Sequence, residues 1–278
     1  MLFAYRFEVT RHQRSLRGLT SGLRVAHLSD LHIGFWIQSG SVRRWVEAAN
    51  AAEPDLVVIT GDLTDSARHH QVAPHLTELA GLRSRLGTFA VWGNHDYRYN
   101  GYQAQSPSAA PQNNWLREAL GGPPKVPMHP PLELAGLLEQ NGVRLLVNEG
   151  VQVRPDLYLA GVDDHWHGEP DVEKAITARA DNSATLLIAH NPDFLYKVPT
   201  AVDLTLCGHT HGGQFKFPGY GAAFTSSEYG QKFAEGWVEE PAPGFISRGL
   251  GVSMVPFRLS CVAELAIHEF SPQTLSQY

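Results

Sequence analysis

The sequence predicts an α/β fold built on parallel strands. Three observations predict it. Short apolar runs of strand length alternate with helix-period segments through the first ninety or so residues. The run Leu56–Thr60 is apolar and β-branched without a polar break, as in a strand buried on both faces. Residues able to do chemistry fall directly after these runs, at the strand ends where open α/β sheets gather their sites.

In chain order, Tyr5–Thr10 alternates and reads as an edge strand, followed by a basic, polar stretch over Arg11–Gly22. Leu23–Ser29 reads as the first core strand. Ser41–Glu53 reads as a helix with Val42, Trp45, Val46 and Ala49 on one face, stopped by Pro54. After Leu56–Thr60, a second helix is expected over about Val72–Leu86, with Gly87 suited to its C-terminal stop. Thr88–Trp92 is the third strand. This alternation calls for right-handed crossovers between parallel strands.

From Tyr97 to Pro131 the pattern dissolves into Gly, Pro, Asn, Gln and Ser, with one short helical stretch at Trp115–Leu120. Such a long irregular segment reads either as a lid or binding loop or as a plain surface insertion. Leu132–Gln140 is a helix closed by Asn141-Gly142. Short strands follow at Val143–Val147, Val151–Arg154 and Leu157–Val162. Asp171–Ala180 is a helix with Pro170 at its first turn. Strands are expected at Thr185–Ala189, Asp203–Cys207, Gly236–Glu239, Phe245–Ser247 and Cys261–His268.

Composition narrows the function. A chain of 278 residues, 43% hydrophobic, can bury one large core. The net charge of −6 and the lack of any Lys/Arg run argue against a nucleic-acid surface. Two cysteines make no disulfide framework. No stretch approaches the ~18 apolar residues of a membrane span, and Met1–Phe7 does not read as a signal sequence. The expectation is a cytoplasmic protein, with peripheral contact to the inner membrane face left open. No obligate protein partner is indicated.

The chemistry is concentrated in Cys207-Gly208-His209-Thr210-His211. Two imidazoles alternate after a short apolar run. If the run continues as strand, both rings point to one face, and Gly208 lets the backbone turn before them. Neutral imidazoles on one face suit a transition metal. Further donors follow other apolar runs: Asp30-Leu31-His32, Gly61-Asp62, Gly93-Asn94-His95-Asp96 and His190-Asn191. Each block alone is weak; all five in this order are a strong signal.

This set resembles the calcineurin-like metallophosphoesterase superfamily over residues 23–213. Ser247-Arg248-Gly249-Leu250-Gly251 and Pro256-Phe257-Arg258 resemble the tail of a bacterial phosphodiesterase branch. The resemblance implies a four-layer α/β/β/α sandwich of two mixed sheets, the metallo-dependent phosphatase fold. It implies a single domain over residues 1–278, with an irregular insertion at about 97–131.

Carried over motif by motif, the resemblance implies two divalent ions. Asp30, His32, Asp62 and His211 would hold the first; Asp62, Asn94, His190 and His209 would hold the second. Asp62 would bridge them, one carboxylate oxygen to each, with the ions about 3.5–4 Å apart. Mixed N/O donors suit Mn²⁺, Fe or Zn²⁺, with Mn²⁺ ranked first. The implied reaction is hydrolysis of a phosphoric ester, most plausibly a phosphodiester or pyrophosphate, by a bridging hydroxide. His95 is the candidate acid for the leaving oxygen, and Asp65 the carboxylate that fixes its tautomer.

Other residues carry weaker signals. Arg248 could reach a substrate phosphate or hold the tail by a salt bridge. Asp164 and His165, in Asp163-Asp164-His165-Trp166-His167, could touch substrate or form a polar turn. His27 reads as a packed histidine or one backing the ligands, and Cys207 as pointing into the core. His69, His70 and His75 read as solvated helix residues. The resemblance of the tail implies as partners a small phosphate ester or a nucleotide-linked lipid of the UDP-diacylglucosamine kind, with residues 97–131 shielding an acyl chain. A phosphomonoesterase or phosphoprotein phosphatase, a nuclease and a non-catalytic scaffold remain the alternatives.

Overall fold

The computed structural model describes residues 6–65, 69–98, 132–253 and 255–273. Fourteen strands are described: β1 (Phe7–Leu16), β2 (Leu23–Leu28), β3 (Leu56–Thr60), β4 (Thr88–Val91), β5 (Val143–Leu145), β6 (Glu149–Arg154), β7 (Leu157–Gly161), β8 (Ala184–Ile188), β9 (Leu204–Cys207), β10 (Lys216–Phe217), β11 (Gly221–Ala222), β12 (Gly236–Val238), β13 (Gly244–Ile246) and β14 (Ala263–Pro272). The described α-helices are α1 (Ser39–Ala51), α2 (His69–Leu76), α3 (Leu132–Gln140) and α4 (Val172–Ile176).

The strands form two six-stranded sheets, ordered β1-β14-β2-β3-β4-β5 and β12-β13-β9-β8-β7-β6, plus the β10-β11 hairpin. Both sheets are mixed. In the first, β2, β3, β4 and β5 run parallel while β14 is antiparallel to β2. In the second, β13, β9, β8 and β7 run parallel, with β12 and β6 antiparallel at the edges.

Three apolar layers hold the sandwich. Val25, Val58, Val91, Leu159, Leu186 and Leu206 meet between the sheets. Alternate residues of β2 and β3, Ala26 and Leu28 with Val57 and Ile59, face the other way onto Trp45, Val46 and Leu138 of the helices. On the far face of the second sheet, Tyr158 and Leu187 pack against Val172 and Ile176 of α4. Helix, sheet, sheet and helix thus make the expected four layers.

Three elements differ from expectation. β1 extends to Leu16, because β14 supplies a parallel partner for all ten residues, and Arg11 and Arg14 point outward to Glu269 and Glu239. The second helix ends at Leu76 and tightens into a 3₁₀ turn, Thr77–Gly81; Pro74 inside it has no N–H to continue the ladder. α4 stops at Ile176 instead of running to Ala180. The expected Trp115–Leu120 stretch and nearly all of the 97–131 insertion lie outside the described residues, as do the side chains of His69 and His70. Among the described residues, no helix is long and apolar enough to cross a membrane.

Candidate active site

The donor residues converge at one shared end of the two sheets. Asp30 and His32 follow β2, Asp62 follows β3, and Asn94 and His95 follow β4. His190 follows β8, and His209 and His211 follow β9. Parallel strands put all these carboxyl ends on one edge, so neither sheet alone builds the site.

Five donors, Asp30, His32, Asp62, His209 and His211, have φ between 47° and 74°. A non-glycine residue there costs about 1–2 kcal/mol, so the backbone must be held by its surroundings. It is: Asp30 N–H donates to Gly61 O at 3.1 Å and His32 N–H to Asp62 O at 2.9 Å. The loops after β2 and β3 therefore carry each other.

Gly208 has a different role from the turn expected of it. Its position leaves no room for a Cβ, which would strike Ser29 Oγ and Asp30 Oδ2. The strand ends at Cys207, and the chain then winds into a 3₁₀ turn at His211–Gly213. Strand alternation therefore does not aim the two rings. His209 and His211 reach different donor groups because the backbone turns between them.

In the first group, His32 Nε2 lies 3.0 Å from His211 Nε2 and 3.4 Å from Asp62 Oδ2, while His211 Nε2 is 3.6 Å from Asp30 Oδ1. In the second, His190 Nε2 is 3.1 Å from His209 Nδ1, 3.1 Å from Asn94 Oδ1 and 3.3 Å from Asp62 Oδ2. The opposite ring atoms fix the tautomers. His190 Nδ1–H donates to Thr60 O at 2.7 Å, and His209 Nε2–H to Ser226 O at 2.9 Å. With those ring atoms committed, His190 Nε2 and His209 Nδ1 are left facing each other at 3.1 Å. A metal ion seated between them would take both as donors. The buried cluster therefore fits a dinuclear metal site.

Asp62 is shared in a way the sequence did not suggest. Its Oδ2 alone faces both groups, whereas its Oδ1 accepts the His95 backbone N–H at 2.8 Å. Burial would raise the Asp62 carboxyl, but the charges of His190 and His95 outweigh burial and hold it well below the usual carboxylate range. Burial pulls His190 down, but Asp62 overrides it and raises the imidazole to about 10.

Asp65 Oδ1 stands 3.3 Å from His95 Nδ1 and 3.6 Å from His32 Nδ1. Burial opposes its ionisation, but both imidazoles hold its carboxyl far below the usual range. Asp96 is buried and accepts Thr64 N–H and Gly93 N–H, both at 2.9 Å, bracing two donor loops.

Three expected substrate contacts lie elsewhere. Arg248 donates to Glu8 at 2.5 Å and stands 3.4 Å from Glu264, in an ion-pair cluster that ties the tail. Asp164 is buried and accepts Trp166 N–H at 2.9 Å and His167 N–H at 2.6 Å; burial raises its carboxyl to about 6. His165 lies beside Phe194, at 6.0 Å between ring centroids. None of the three is among the described residues that line the cavity over the donors, whereas Asp62, Asn94, His95, His209 and His211 all are.

The structure also gives partners to residues the sequence left in the background, His27 among them as a packed histidine or one backing the ligands. Trp166 stands edge-on to His209, with centroids 4.4 Å apart. His27 is a packed histidine that also backs a ligand. Its Nε2–H reaches Thr60 Oγ1 at 2.8 Å, Thr60 donates to Ser29 Oγ at 2.7 Å, and Ser29 donates to Asp30 Oδ2 at 2.5 Å. Burial lowers His27 to about 3, so it serves as a neutral donor. The buried Arg258 lies 3.1 Å from His211 Nδ1 and donates to the carbonyls of His211, Arg248, Gly249 and Gly251. Its place in Pro256-Phe257-Arg258 was the only sequence signal for it.

Two facing mixed sheets with paired Asp/His donor groups at their common end are the frame of a metal-dependent phosphoester hydrolase. The chain belongs to the calcineurin-like phosphoesterase family, which it matches over residues 23–213. It is 28% identical to the metallophosphoesterase YkuE of Bacillus subtilis over 88% of this chain and 78% of that protein. It is 32% identical to a bovine protein named transmembrane protein with metallophosphoesterase domain, over 88% of this chain but only 52% of that one. It is 24% identical to the UDP-2,3-diacylglucosamine pyrophosphatase LpxG of Chlamydia trachomatis over 83% of this chain and 78% of that protein.

Proposed function

We propose that this chain, as one phosphoesterase domain, hydrolyses a phosphodiester or pyrophosphate bond with two divalent ions held by the donor groups above. The observation that carries this is a single cavity lined by donors of both groups and by His95. Divalent ions supply charge neutralisation and an acidified water. The residues do the rest. Asp62 Oδ2 holds the two groups together, the His95 amide fixes that carboxylate, and the His95 ring gives its proton to the leaving oxygen. Asp65, 3.3 Å from His95 Nδ1, orients that ring.

No Arg or Lys is among the described residues lining the cavity. The substrate's charge is then met by the ions alone, which favours a monoanionic diester over a dianionic monoester. The mix of imidazole, carboxylate and amide oxygen suits Mn²⁺, Fe and Zn²⁺ alike, and Mn²⁺ is the first to assay because the resemblance to this family favours it. The name of the Chlamydia relative adds a nucleotide-linked diacyl glycolipid to the substrates worth assaying. Such a substrate would bring the protein, in the cytoplasm, to the inner face of a membrane.

The test is hydrolysis of bis(p-nitrophenyl) phosphate by metal-stripped protein, restored with Mn²⁺, Zn²⁺, Fe²⁺ and Mg²⁺ in turn, with Asp62→Asn as control. Restored activity that the control lacks supports the reading. A higher rate on p-nitrophenyl phosphate would move it to a phosphomonoesterase. No hydrolysis of any ester by protein carrying two ions would overturn it.

A further inference from the structure

The cavity over the donors is not polar throughout. Beside Asn94, His95 and the imidazoles, its lining includes Phe215, Phe224, Val255 and Phe257, together with Trp166. Its volume is about 300 Å³. Phe224 and Phe257 remain 45% and 41% exposed, which is unusual for phenylalanines at the mouth of a site that handles an anion. Phe217, Tyr220 and Leu259 continue the apolar surface outward along the β10-β11 hairpin and the segment bridged to it.

This wall is built into the metal-bearing loops. Gln214 follows the His211–Gly213 turn directly. It accepts Ser253 N–H at 2.9 Å and donates to the carbonyls of Ser253 at 2.9 Å and Phe257 at 3.1 Å. Arg258 ties the other end of the segment to His211 O at 3.1 Å. The amide of Gln214 is thereby spent on the backbone, and the surface it supports presents hydrocarbon to the cavity.

We infer that the substrate's ester group carries an aliphatic chain that lies along Phe215, Phe224, Val255 and Phe257 while its phosphate meets the donor groups. This rests on the reading that the donor cluster takes a phosphoester. A chain fits better than a nucleobase for two reasons. Phe215 and Phe257 stand edge-to-face, at 81° with centroids 5.2 Å apart, so they offer no flat platform for a base. Gln214, which could have read a base edge, is turned inward.

The experiment is calorimetric binding of methyl phosphate, octyl phosphate and uridine monophosphate to the Mn²⁺-loaded full chain and to Phe224→Ala and Phe257→Ala. Each methylene buried should tighten binding about fourfold. Octyl phosphate should therefore bind at least about 100-fold tighter than methyl phosphate, with a negative heat-capacity change. Each variant should cut that ratio about tenfold or more, and Phe35→Ala, a control at an exposed ring on another loop, should keep it. Both phenylalanines are partly exposed, so the variants should fold, and a thermal melt checks this. Equal binding of octyl and methyl phosphate overturns the inference, as does an undiminished ratio in both variants. So does uridine monophosphate binding tighter than octyl phosphate. Diester hydrolysis with no chain-length gain defeats this inference and leaves the reaction standing. A chain-length gain with no hydrolysis does the reverse.

Discussion

The backbone amide of His95 donates to Asp62 Oδ1 at 2.8 Å. This bond joins the proposed acid to the shared ligand. It turns Oδ2 toward both donor groups, 3.4 Å from His32 and 3.3 Å from His190, and it sets where the His95 ring begins. The proposed proton donor and the shared carboxylate are therefore positioned by one contact.

Asp62→Asn replaces the shared anionic oxygen by a neutral amide. Metal content should fall from about two ions per chain toward one or none, by elemental analysis. Turnover of bis(p-nitrophenyl) phosphate should drop about 10²–10³-fold, the scale of losing one charge-stabilising group.

His95→Ala keeps the backbone amide and so should keep both ions. Turnover should fall about 10²–10⁴-fold with an alkoxide leaving group and much less with p-nitrophenolate, which needs no proton. Equal losses with both leaving groups would take the proton-donor role from His95. Asp65→Asn should lose about 10–100-fold in turnover while retaining metal.

Thr60→Val cuts the chain from His27 through Ser29 to Asp30. Ser29 loses its donor and His27 Nε2–H is left buried without an acceptor. The expected cost is about 1–3 kcal/mol in urea unfolding of the apoprotein. The expected loss of metal affinity is about tenfold, measured by chelator competition.

Gly208→Ala would push a methyl group into Ser29 Oγ and Asp30 Oδ2. Both lie on a loop already held at positive φ, so the wall cannot yield freely. Destabilisation of about 1–3 kcal/mol is expected, with weakened metal binding in the same preparation.

Glu264 gives a pH signature away from the metals. Burial opposes its ionisation, but His12, Arg248 and Thr10 outweigh burial and bring its carboxyl down to about 2. Its folded value lies below its unfolded value, so its contribution is complete above about pH 4.5. That contribution fades as pH falls toward 2. The shift corresponds to about 3 kcal/mol. The stability gap between wild type and Glu264→Gln should therefore shrink steadily between pH 4.5 and pH 2 in urea titrations. A constant gap would refute the assignment.

Much of this protein was legible in the chain. Apolar runs such as Leu56–Thr60 and Thr185–Ile188 announced buried strands, because burial on both faces leaves no place for a polar side chain. The donors were legible because each closes such a run. His190 and His209 come from one sheet and Asp30 and Asp62 from the other, yet every one stands at a strand end.

Contacts between distant segments were not legible. Tertiary structure decided that one Asp62 oxygen faces both groups, that Gly208 is needed for room rather than for a turn, and that His209 and His211 part company. It also drew Arg248 into ion pairs with Glu8 and Glu264 and set an apolar wall from residues 215–257 beside the imidazoles. The physical reason is range. Side-chain periodicity and turn chemistry act over a few neighbouring residues, so the sequence by itself determined the strands and the donors at their ends. Facing atoms, excluded volume and hydrogen-bond partners are settled only when two sheets close on one another.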